Sequence, residues 1–170
     1  MKEILGAKPY FFEQENNISK KIKRLLISGN LSQGENITTL EKKTSKIFNS
    51  KYAIAVNSGG TALEICLEAF GIKGKEVLVP TQTFIATANA VVRAGGKPVF
   101  CDINPKTGCI DVEDVNKKIN KKTAGVIFVY MFGIVPESII ELKKICKKKN
   151  IFLLEDAAHA HGGSIGKYIV

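Results

Sequence analysis

The spacing of hydrophobic and polar positions changes near residue 50 of this 170-residue chain. Before that point apolar residues recur at intervals of three or four, in two stretches made of Ile18, Ile22, Leu25 and Leu26, and of Leu40, Ile47 and Phe48. This spacing predicts two amphipathic helices. The turn-rich residues 31–34 lie between them.

Beyond residue 50, short apolar runs alternate with helical patterns. The runs are residues 52–56, 76–79, 98–102, 124–129 and 151–155. The helical patterns cover residues 61–70, 84–94, 111–119 and 137–149. Continuous apolar runs are typical of strands buried on both faces, and strand–helix alternation predicts a mostly parallel sheet with helices on both faces. The predicted fold class is therefore α/β.

Composition agrees with a globular protein and excludes several other classes. The chain is 45% hydrophobic and 24% charged, and it contains no apolar run approaching the ~20 residues of a membrane helix. Residues 1–3 do not begin a secretory signal, so we expect a cytoplasmic location. The four cysteines, at positions 66, 101, 109 and 146, are scattered among apolar residues, which favours small core residues over a disulfide framework.

The net charge of +9 at first suggests a nucleic-acid partner. However, 23 of the 25 basic residues are lysine, and only Arg24 and Arg93 are arginine. Base and phosphate recognition favours the planar guanidinium group, and the excess charge is spread evenly along the chain. The charge therefore predicts a solvated surface, with nucleic-acid binding as a disfavoured alternative.

A glycine-rich turn, Ser58-Gly59-Gly60-Thr61, follows one predicted strand and opens the next helix. In parallel α/β sheets ligands bind beyond the carboxyl ends of the strands. Free N–H groups and the helix dipole make such a turn suited to phosphate, with Ser58 and Thr61 as possible hydroxyl donors. The turn matches neither the lysine-bearing phosphate loop nor G-x-G-x-x-G. The alternative is a tight turn with a serine cap.

Asp156 ends an apolar run and is followed by small residues and two histidines, His159 and His161. A carboxylate in that position can pair with a protonated ring nitrogen, as in pyridoxal phosphate enzymes. The alternatives are a cap on the next turn and a metal site with both histidines, which is disfavoured because the chain has no other histidine. Phe84 is either a core residue at a helix start or an aromatic that stacks on a planar cofactor.

The segment 162–166 matches the nucleophile pattern G-x-S-x-G. That pattern needs a strand directly before the serine, a helix directly after it and a histidine base. None of these is predicted here, so we expect no serine hydrolase.

Four segments together resemble the sugar aminotransferases of the DegT/StrS family, which have the fold-type I architecture of aspartate aminotransferase. They are, in order, residues 55–64 (AVNSGGTALE), 79–91 (VPTQTFIATANAV), 95–103 (GGKPVFCDI) and 153–163 (LLEDAAHAHGG). Residues 28–35 (SGNLSQGE) are also similar to family sequence. The similarity runs from about residue 28 to the end of the chain.

The resemblance implies pyridoxal 5'-phosphate as the cofactor and gives roles to five residues. The phosphate-binding backbone falls on Gly60 and Thr61, the stacking aromatic on Phe84, the partner of the pyridine nitrogen on Asp156, and the group near the ring hydroxyl on His159. One position departs from the family: Gly60 stands where threonine is usual, with Thr61 one place later. The resemblance implies no metal.

The same resemblance implies that the chain is an N-terminal portion. The family's Schiff-base lysine follows a hairpin that matches Gly166-Lys167, so it is expected beyond Val170, and Lys167 itself is expected on the surface. Residues 1–35 are predicted to form a helical arm, and residues 36–170 the first part of the cofactor-binding large domain. The remainder of that domain and the small domain are expected to be absent.

The implied activity is transfer of an amino group, with glutamate the expected donor, to a keto-sugar carried on a nucleotide. The intact relative is expected to be a homodimer without membrane or nucleic-acid partners, while the 170-residue chain alone is expected to be inactive. Two alternatives stay open: a related pyridoxamine phosphate-dependent sugar dehydratase, and a non-catalytic truncated or split product.

Overall fold

The computed structural model describes residues 17–170, in two compact units. The first ends at Ala53 and contains helices α1 (Ile18–Ser28) and α2 (Glu35–Ile47). Both predicted helices are confirmed, and neither contains a buried residue. The rest of the predicted arm, residues 1–16, lies outside the described residues, and the arm boundary at residue 35 stays a prediction.

The second unit, Ile54–Val170, is built on a four-stranded sheet. Its strands are β1 (Glu76–Pro80), β2 (Lys97–Cys101), β3 (Thr123–Val129) and β4 (Phe152–Asp156). Their order is β2-β1-β3-β4, and every neighbouring pair is parallel. A two-stranded antiparallel hairpin, β5 (Ser164–Ile165) and β6 (Tyr168–Ile169), follows β4.

Four helices connect and cover the strands of this unit. They are α3 (Gly59–Ala69), α4 (Ala86–Arg93), α5 (Val112–Lys118) and α6 (Ser138–Lys149). Each matches a helical pattern predicted from the sequence to within about two residues at either end. Two of these helices have clear caps: the Asp111 side chain accepts a hydrogen bond from the Asp114 N–H, and Asn150 ends α6 in the left-handed conformation.

The central strands are buried on both faces, which explains their continuous apolar sequence. Side chains alternate across a strand, and Leu78 and Phe128 accordingly join a core cluster that includes residues of α5 and α6. Val79 and Ile127 join the opposite cluster, which includes residues of α3 and α4. The predicted α/β fold with helices on both faces is confirmed.

The predicted strand at residues 52–56 is wrong. These residues belong to neither sheet of the described chain, and the side chains of Tyr52 and Ile54 are 72% and 78% exposed. A strand exists only where a neighbouring strand supplies the other half of the hydrogen-bond ladder. The apolar pattern therefore identified a segment able to form a strand, but not its pairing partner.

The four cysteines lie in or near the core. Cys101, Cys109 and Cys146 are buried, Cys66 is half-buried, and all four are free thiols. Burial raises the pKa of Cys101 and of Cys146 to about 11, so both are protonated core groups at neutral pH.

Among residues 17–170, no helix has the length and apolar character needed to cross a membrane.

Candidate functional site

The predicted site residues of the second unit lie near the carboxyl edge of the sheet. Phe84 follows β1, and Asp156 ends β4. Since β3 lies between these two strands, their ends are separated by two strand spacings, or about 10 Å. This edge is where parallel α/β sheets bind ligands.

The turn before α3 is held by a serine cap. The Ser58 Oγ accepts a hydrogen bond from the Thr61 N–H at 3.1 Å and lies 2.9 Å from the Thr61 Oγ1. The alternative of a serine-capped turn is thus present in the structure, and it engages the Thr61 N–H. The N–H groups of Gly59 and Gly60 belong to the first helical turn, which has no intrahelical acceptors.

The two glycines of this turn leave room beside the backbone. A Cβ added at Gly59 would meet nothing within 4 Å, and one added at Gly60 would lie 3.7 Å from the Ala86 Cβ. The second contact places the first turn of α3 beside the start of α4, two residues from Phe84. The structure therefore brings the glycine turn and the aromatic residue into one neighbourhood.

Phe84 is not a core residue. Its side chain is 76% exposed, and α4 begins two residues later at Ala86. The neighbouring Thr83 and Thr87 hydroxyls lie 2.8 Å apart and tie this loop to the helix. An exposed aromatic ring on a tethered loop at the ligand-binding edge is available to stack on a planar group.

Asp156 is held at both its main chain and its side chain. The Tyr130 N–H donates to the Asp156 carbonyl at 3.1 Å, and the Ala158 N–H donates to Asp156 Oδ1 at 3.1 Å. The second bond is the turn cap that the sequence offered as an alternative role. It leaves the other carboxylate oxygen for a further donor.

His159 lies on the exposed loop after β4, next to the end of β3. There the 3₁₀ turn Met131–Gly133 contains Phe132, whose φ of 57° is unusual for a bulky residue. Gly133 has a φ of 78°, and a Cβ there would lie 3.0 Å from the His159 carbonyl oxygen. Glycine is required at this position for both reasons, and its lack of a side chain lets the His159 backbone lie close to the turn that follows β3.

Behind Asp156 lies a cluster that the sequence did not predict, made of Tyr130, Lys143, Glu155 and Tyr168. Both tyrosine hydroxyls donate to Glu155 Oε2, and Lys143 Nζ lies 3.2 Å from Glu155 Oε1 and 3.5 Å from the centre of the Tyr168 ring. We call these four residues the Glu155 cluster. The one available signal was an acidic residue inside an otherwise apolar strand.

Burial and charge in the Glu155 cluster favour protonated partners around the carboxylate. Burial, followed by the hydrogen bond to Glu155, raises the pKa of Tyr130 and of Tyr168. Burial works against the charged form of Lys143, but its bonds to Tyr168 and Glu155 outweigh this effect and raise its pKa. The cluster is therefore a lysine–glutamate pair with two neutral tyrosines.

The three residues of the disfavoured metal interpretation, Asp156, His159 and His161, do not form a metal site. Within residues 17–170, no three acidic, histidine or cysteine side chains are grouped so that they could hold a metal ion.

The protein is an α/β protein whose parallel sheet has a glycine turn, an exposed aromatic and a carboxylate near its carboxyl edge. Residues 13–168 match the model of the DegT/DnrJ/EryC1/StrS aminotransferase family. The chain belongs to this family, as the four sequence segments implied.

Individual relatives agree with this assignment. The chain is 37% identical over 135 residues to a GDP-perosamine synthase of Vibrio cholerae, an alignment that covers 79% of this chain and 36% of that enzyme. It superposes with a TM-score of 0.87 and 28% identity on the Helicobacter pylori aminotransferase PseC of pseudoaminic acid biosynthesis, covering 99% of this chain and 45% of that one.

A further solved relative is the Escherichia coli GDP-4-keto-6-deoxy-D-mannose-3-dehydratase with bound hydrated pyridoxal phosphate. It has a TM-score of 0.84 and 28% identity, with 96% of this chain and 43% of that chain covered. The fold is thus that of the fold-type I enzymes, and pyridoxal phosphate is the cofactor indicated for this chain. The chain spans less than half the length of these relatives.

Proposed function

We propose that this chain supplies the cofactor-binding part of a pyridoxal phosphate-dependent sugar aminotransferase. The observation that carries the proposal is the Asp156 carboxylate, which is oriented at the end of β4 by the Ala158 N–H. Family membership supports the cofactor class. Gly60, Phe84 and His159 lie around the same edge, and their positions support a site large enough for this cofactor.

The first turn of α3 fits a phosphate group. The open space beside Gly59 gives a ligand close access to the backbone, and the N-terminal end of an eleven-residue helix favours an anion. We infer that the N–H groups of Gly59 and Gly60 donate to the phosphate. The Thr61 N–H can join them only when the Ser58 hydroxyl gives up its cap.

Asp156 fits the opposite end of the same cofactor. A carboxylate beside a pyridine nitrogen stabilises its protonated form, and the ring then serves as an electron sink for bonds at the amine-bearing carbon. The role of Asp156 is to hold that proton on the ring nitrogen. Its other oxygen is already oriented by Ala158.

Phe84 and His159 complete the proposed enclosure. The exposed Phe84 ring is placed to cover one face of the cofactor, which excludes water from that face. The backbone of His159 lies close to Gly133, and we infer that its imidazole reaches the ring hydroxyl from the loop after β4. Neither residue is proposed to take part in covalent chemistry.

The substrates proposed for the whole protein are a nucleotide-linked keto-sugar and an amino acid donor, with glutamate expected. We further propose a cytoplasmic homodimer in which residues 1–35 act as an arm and residues 36–170 belong to the large domain. The Schiff-base lysine is proposed to lie beyond Val170. The 170-residue chain alone is therefore expected to bind cofactor without catalysing transamination.

Cofactor binding can be tested with pyridoxamine 5'-phosphate, whose amine cannot form Schiff bases with the 23 lysines of the chain. Titration followed by absorbance should give saturable binding, which Asp156→Asn weakens about tenfold through loss of a charge-assisted bond. The matched control is Asp102→Asn, because Asp102 also directly follows a strand. Equal effects of the two substitutions would contradict the assignment of Asp156.

A second assay addresses the reaction. Purified chain with pyridoxal phosphate, glutamate and a keto-sugar nucleotide should give no aminated sugar, and turnover would overturn the proposed position of the lysine. Borohydride reduction should likewise trap no adduct on a single specific lysine.

The dehydratase alternative is kept because the chain superposes on a dehydratase across 96% of its length, although it superposes equally well on an aminotransferase. Repeating the assay with the whole protein distinguishes the two activities. Loss of a sugar hydroxyl without net amination would support the dehydratase. The absence of both activities would support the non-catalytic alternative.

A further inference from the structure

The Glu155 cluster has no part in the proposed chemistry, although it lies directly behind the residue most important to it. Glu155 and Asp156 are neighbours on β4, so their side chains point to opposite faces of the sheet. Asp156 serves the ligand-binding edge, whereas Glu155 points to the side that carries α6. The two carboxylates therefore belong to consecutive residues of one strand but lie in different surroundings.

Tyr130 connects the two carboxylate-bearing residues. Its N–H donates to the Asp156 carbonyl at 3.1 Å, and its hydroxyl donates to the Glu155 side chain. Tyr130 is fully buried and packs edge-to-face on Phe128 with ring centres 4.8 Å apart. One rigid residue thus holds the end of β4 at two successive positions.

The other members of the cluster extend this attachment to two further elements. Lys143 brings α6 to Glu155 through a 3.2 Å ion pair, and Tyr168 brings β6 to the same carboxylate. Lys143 also lies over the Tyr168 ring at 3.5 Å. A single glutamate therefore gathers groups from β3, α6 and β6 behind the end of β4.

The position of β4 explains why such an attachment matters. Among the described strands, β4 pairs only with β3 and forms an edge of the sheet. All five of its residues are only half-buried. Within residues 17–170 the end of β4 receives backbone hydrogen bonds from β3 alone, so the side chains that hold it have a larger effect on how readily it opens.

We propose that the Glu155 cluster is a positioning device for Asp156. By fixing the last residues of β4, it keeps the Asp156 carboxylate in the orientation that the Ala158 N–H completes, ready for a protonated ring nitrogen. Glu155, Tyr130, Tyr168 and Lys143 are positioning residues, since none of them touches the cofactor in this scheme. The inference rests on the proposed function only for the identity of the group that Asp156 meets.

Amide hydrogen exchange in the chain without cofactor tests whether the cluster fixes the orientation of the Asp156 carboxylate. Tyr130→Phe removes one hydroxyl and keeps the ring and the N–H, so exchange at the Ala158 amide should accelerate about tenfold, as expected for loss of one bond to a charged group. The Asp114 amide, capped by Asp111 at 2.9 Å, is the reference. Tyr52→Phe, which alters a 72% exposed side chain, is the matched control.

If the cluster only stabilises the fold and does not position Asp156, the result is different. General destabilisation accelerates hydrogen exchange at the Ala158 and Asp114 amides alike. That result, or an unchanged Ala158 amide in a folded variant, would overturn the proposal. If Tyr130→Phe does not fold, Tyr168→Phe removes the other hydroxyl from the same carboxylate oxygen at a half-buried site. It should accelerate the Ala158 amide in the same selective manner.

The functional part is tested by the absorbance of bound pyridoxamine 5'-phosphate as a function of pH. A misplaced Asp156 stabilises the protonated ring less, so in Tyr130→Phe the deprotonation of the bound ring should move to lower pH by about 0.5 unit. A variant that only lowers the folded fraction would leave this transition in place. If the wild-type chain does not bind the compound, the proposed function fails, and amide exchange alone decides on positioning.

Discussion

The two ends of the proposed cofactor site are built in different ways. The phosphate end, residues 58–61, is held by contacts among neighbours in the sequence, from Ser58 to Thr61. The ring end at Asp156 is supported by Tyr130 and Lys143, which are distant in sequence, and by Tyr168 beyond the following loop. The first end is exposed, whereas the second rests on the core.

Because of this difference, the two ends contribute unequally to the stability of the fold. A local cap organises a few N–H groups at the start of one helix, and its loss leaves the rest of the fold intact. A carboxylate that joins three elements supports both the fold and the direction of its neighbour. Substitutions at the ring end should therefore lower the free energy of unfolding strongly, and substitutions at the phosphate end should lower it only slightly.

The largest effect is expected for Glu155→Ala. This change leaves the buried Tyr130 hydroxyl without its acceptor and Lys143 without its carboxylate, and we expect a loss of about 2–3 kcal/mol in the free energy of unfolding. Urea denaturation followed by circular dichroism measures it. Glu137→Ala, at an exposed position before α6, is the control and should change the free energy by less than about 0.5 kcal/mol.

The comparison fails if Glu155→Ala costs no more than the loss of the Ser58 cap. In that case the Glu155 cluster would be an incidental surface network, and the ring end would be no better supported than the phosphate end.

A pH dependence specific to the ring end is expected next. The pKa of Tyr130 is raised in the folded chain by burial and by Glu155, so its contribution to stability is complete below the usual tyrosine pKa of about 10 and is lost above it. The loss from this one group should be about 1.4 kcal/mol for each pH unit. Urea midpoints between about pH 9 and pH 11 measure it.

The raised pKa of Lys143 acts in the same direction, since its folded form also keeps a proton that the unfolded chain releases. Tyr130→Phe should flatten the decline, and Tyr52→Phe should not. An equal decline in all three proteins would assign the alkaline instability to groups outside the cluster.

The sequence predicted the geometry of the glycine turn at residues 58–61 better than the surroundings of Asp156, and the reason is physical. Ser58 and Thr61 contact each other directly and are three residues apart, so their spacing along the chain determines the geometry. Asp156 could be recognised by its place after an apolar run. Its supports could not, because Tyr130 and Lys143 approach Glu155 only after β3, α6 and β4 have packed.

The segment 52–56 shows the same limit for the fold. Its apolar pattern resembles that of the strand at 124–129, which became β3. The latter lies between β1 and β4 and receives hydrogen bonds on both sides. The former has no partner strand in the described chain, and local composition contains no information about pairing.

At the phosphate end, Ser58→Ala should cost about 1 kcal/mol, since the Thr61 N–H loses its acceptor at the start of α3. Chemical denaturation measures this loss, and Ser45→Ala, whose hydroxyl donates to a carbonyl within α2, is the control. Binding of pyridoxamine 5'-phosphate should weaken by less than about threefold, because the N–H groups remain. A tenfold loss of affinity would show that the hydroxyl itself binds the phosphate.

The smallest effect is expected at Gly60. A Cβ there would make an ordinary 3.7 Å contact with Ala86, and replacing a helical glycine by alanine restricts the unfolded chain. Gly60→Ala should therefore stabilise the second unit by about 0.5 kcal/mol, with affinity for pyridoxamine 5'-phosphate unchanged within about twofold. Thermal denaturation and titration measure the two quantities, and Gly59→Ala, where the added Cβ meets open space, is the matched comparison. If Gly60→Ala abolishes binding while Gly59→Ala preserves it, the ligand occupies the position of the Gly60 Cβ, and the phosphate end is as sterically constrained as the ring end.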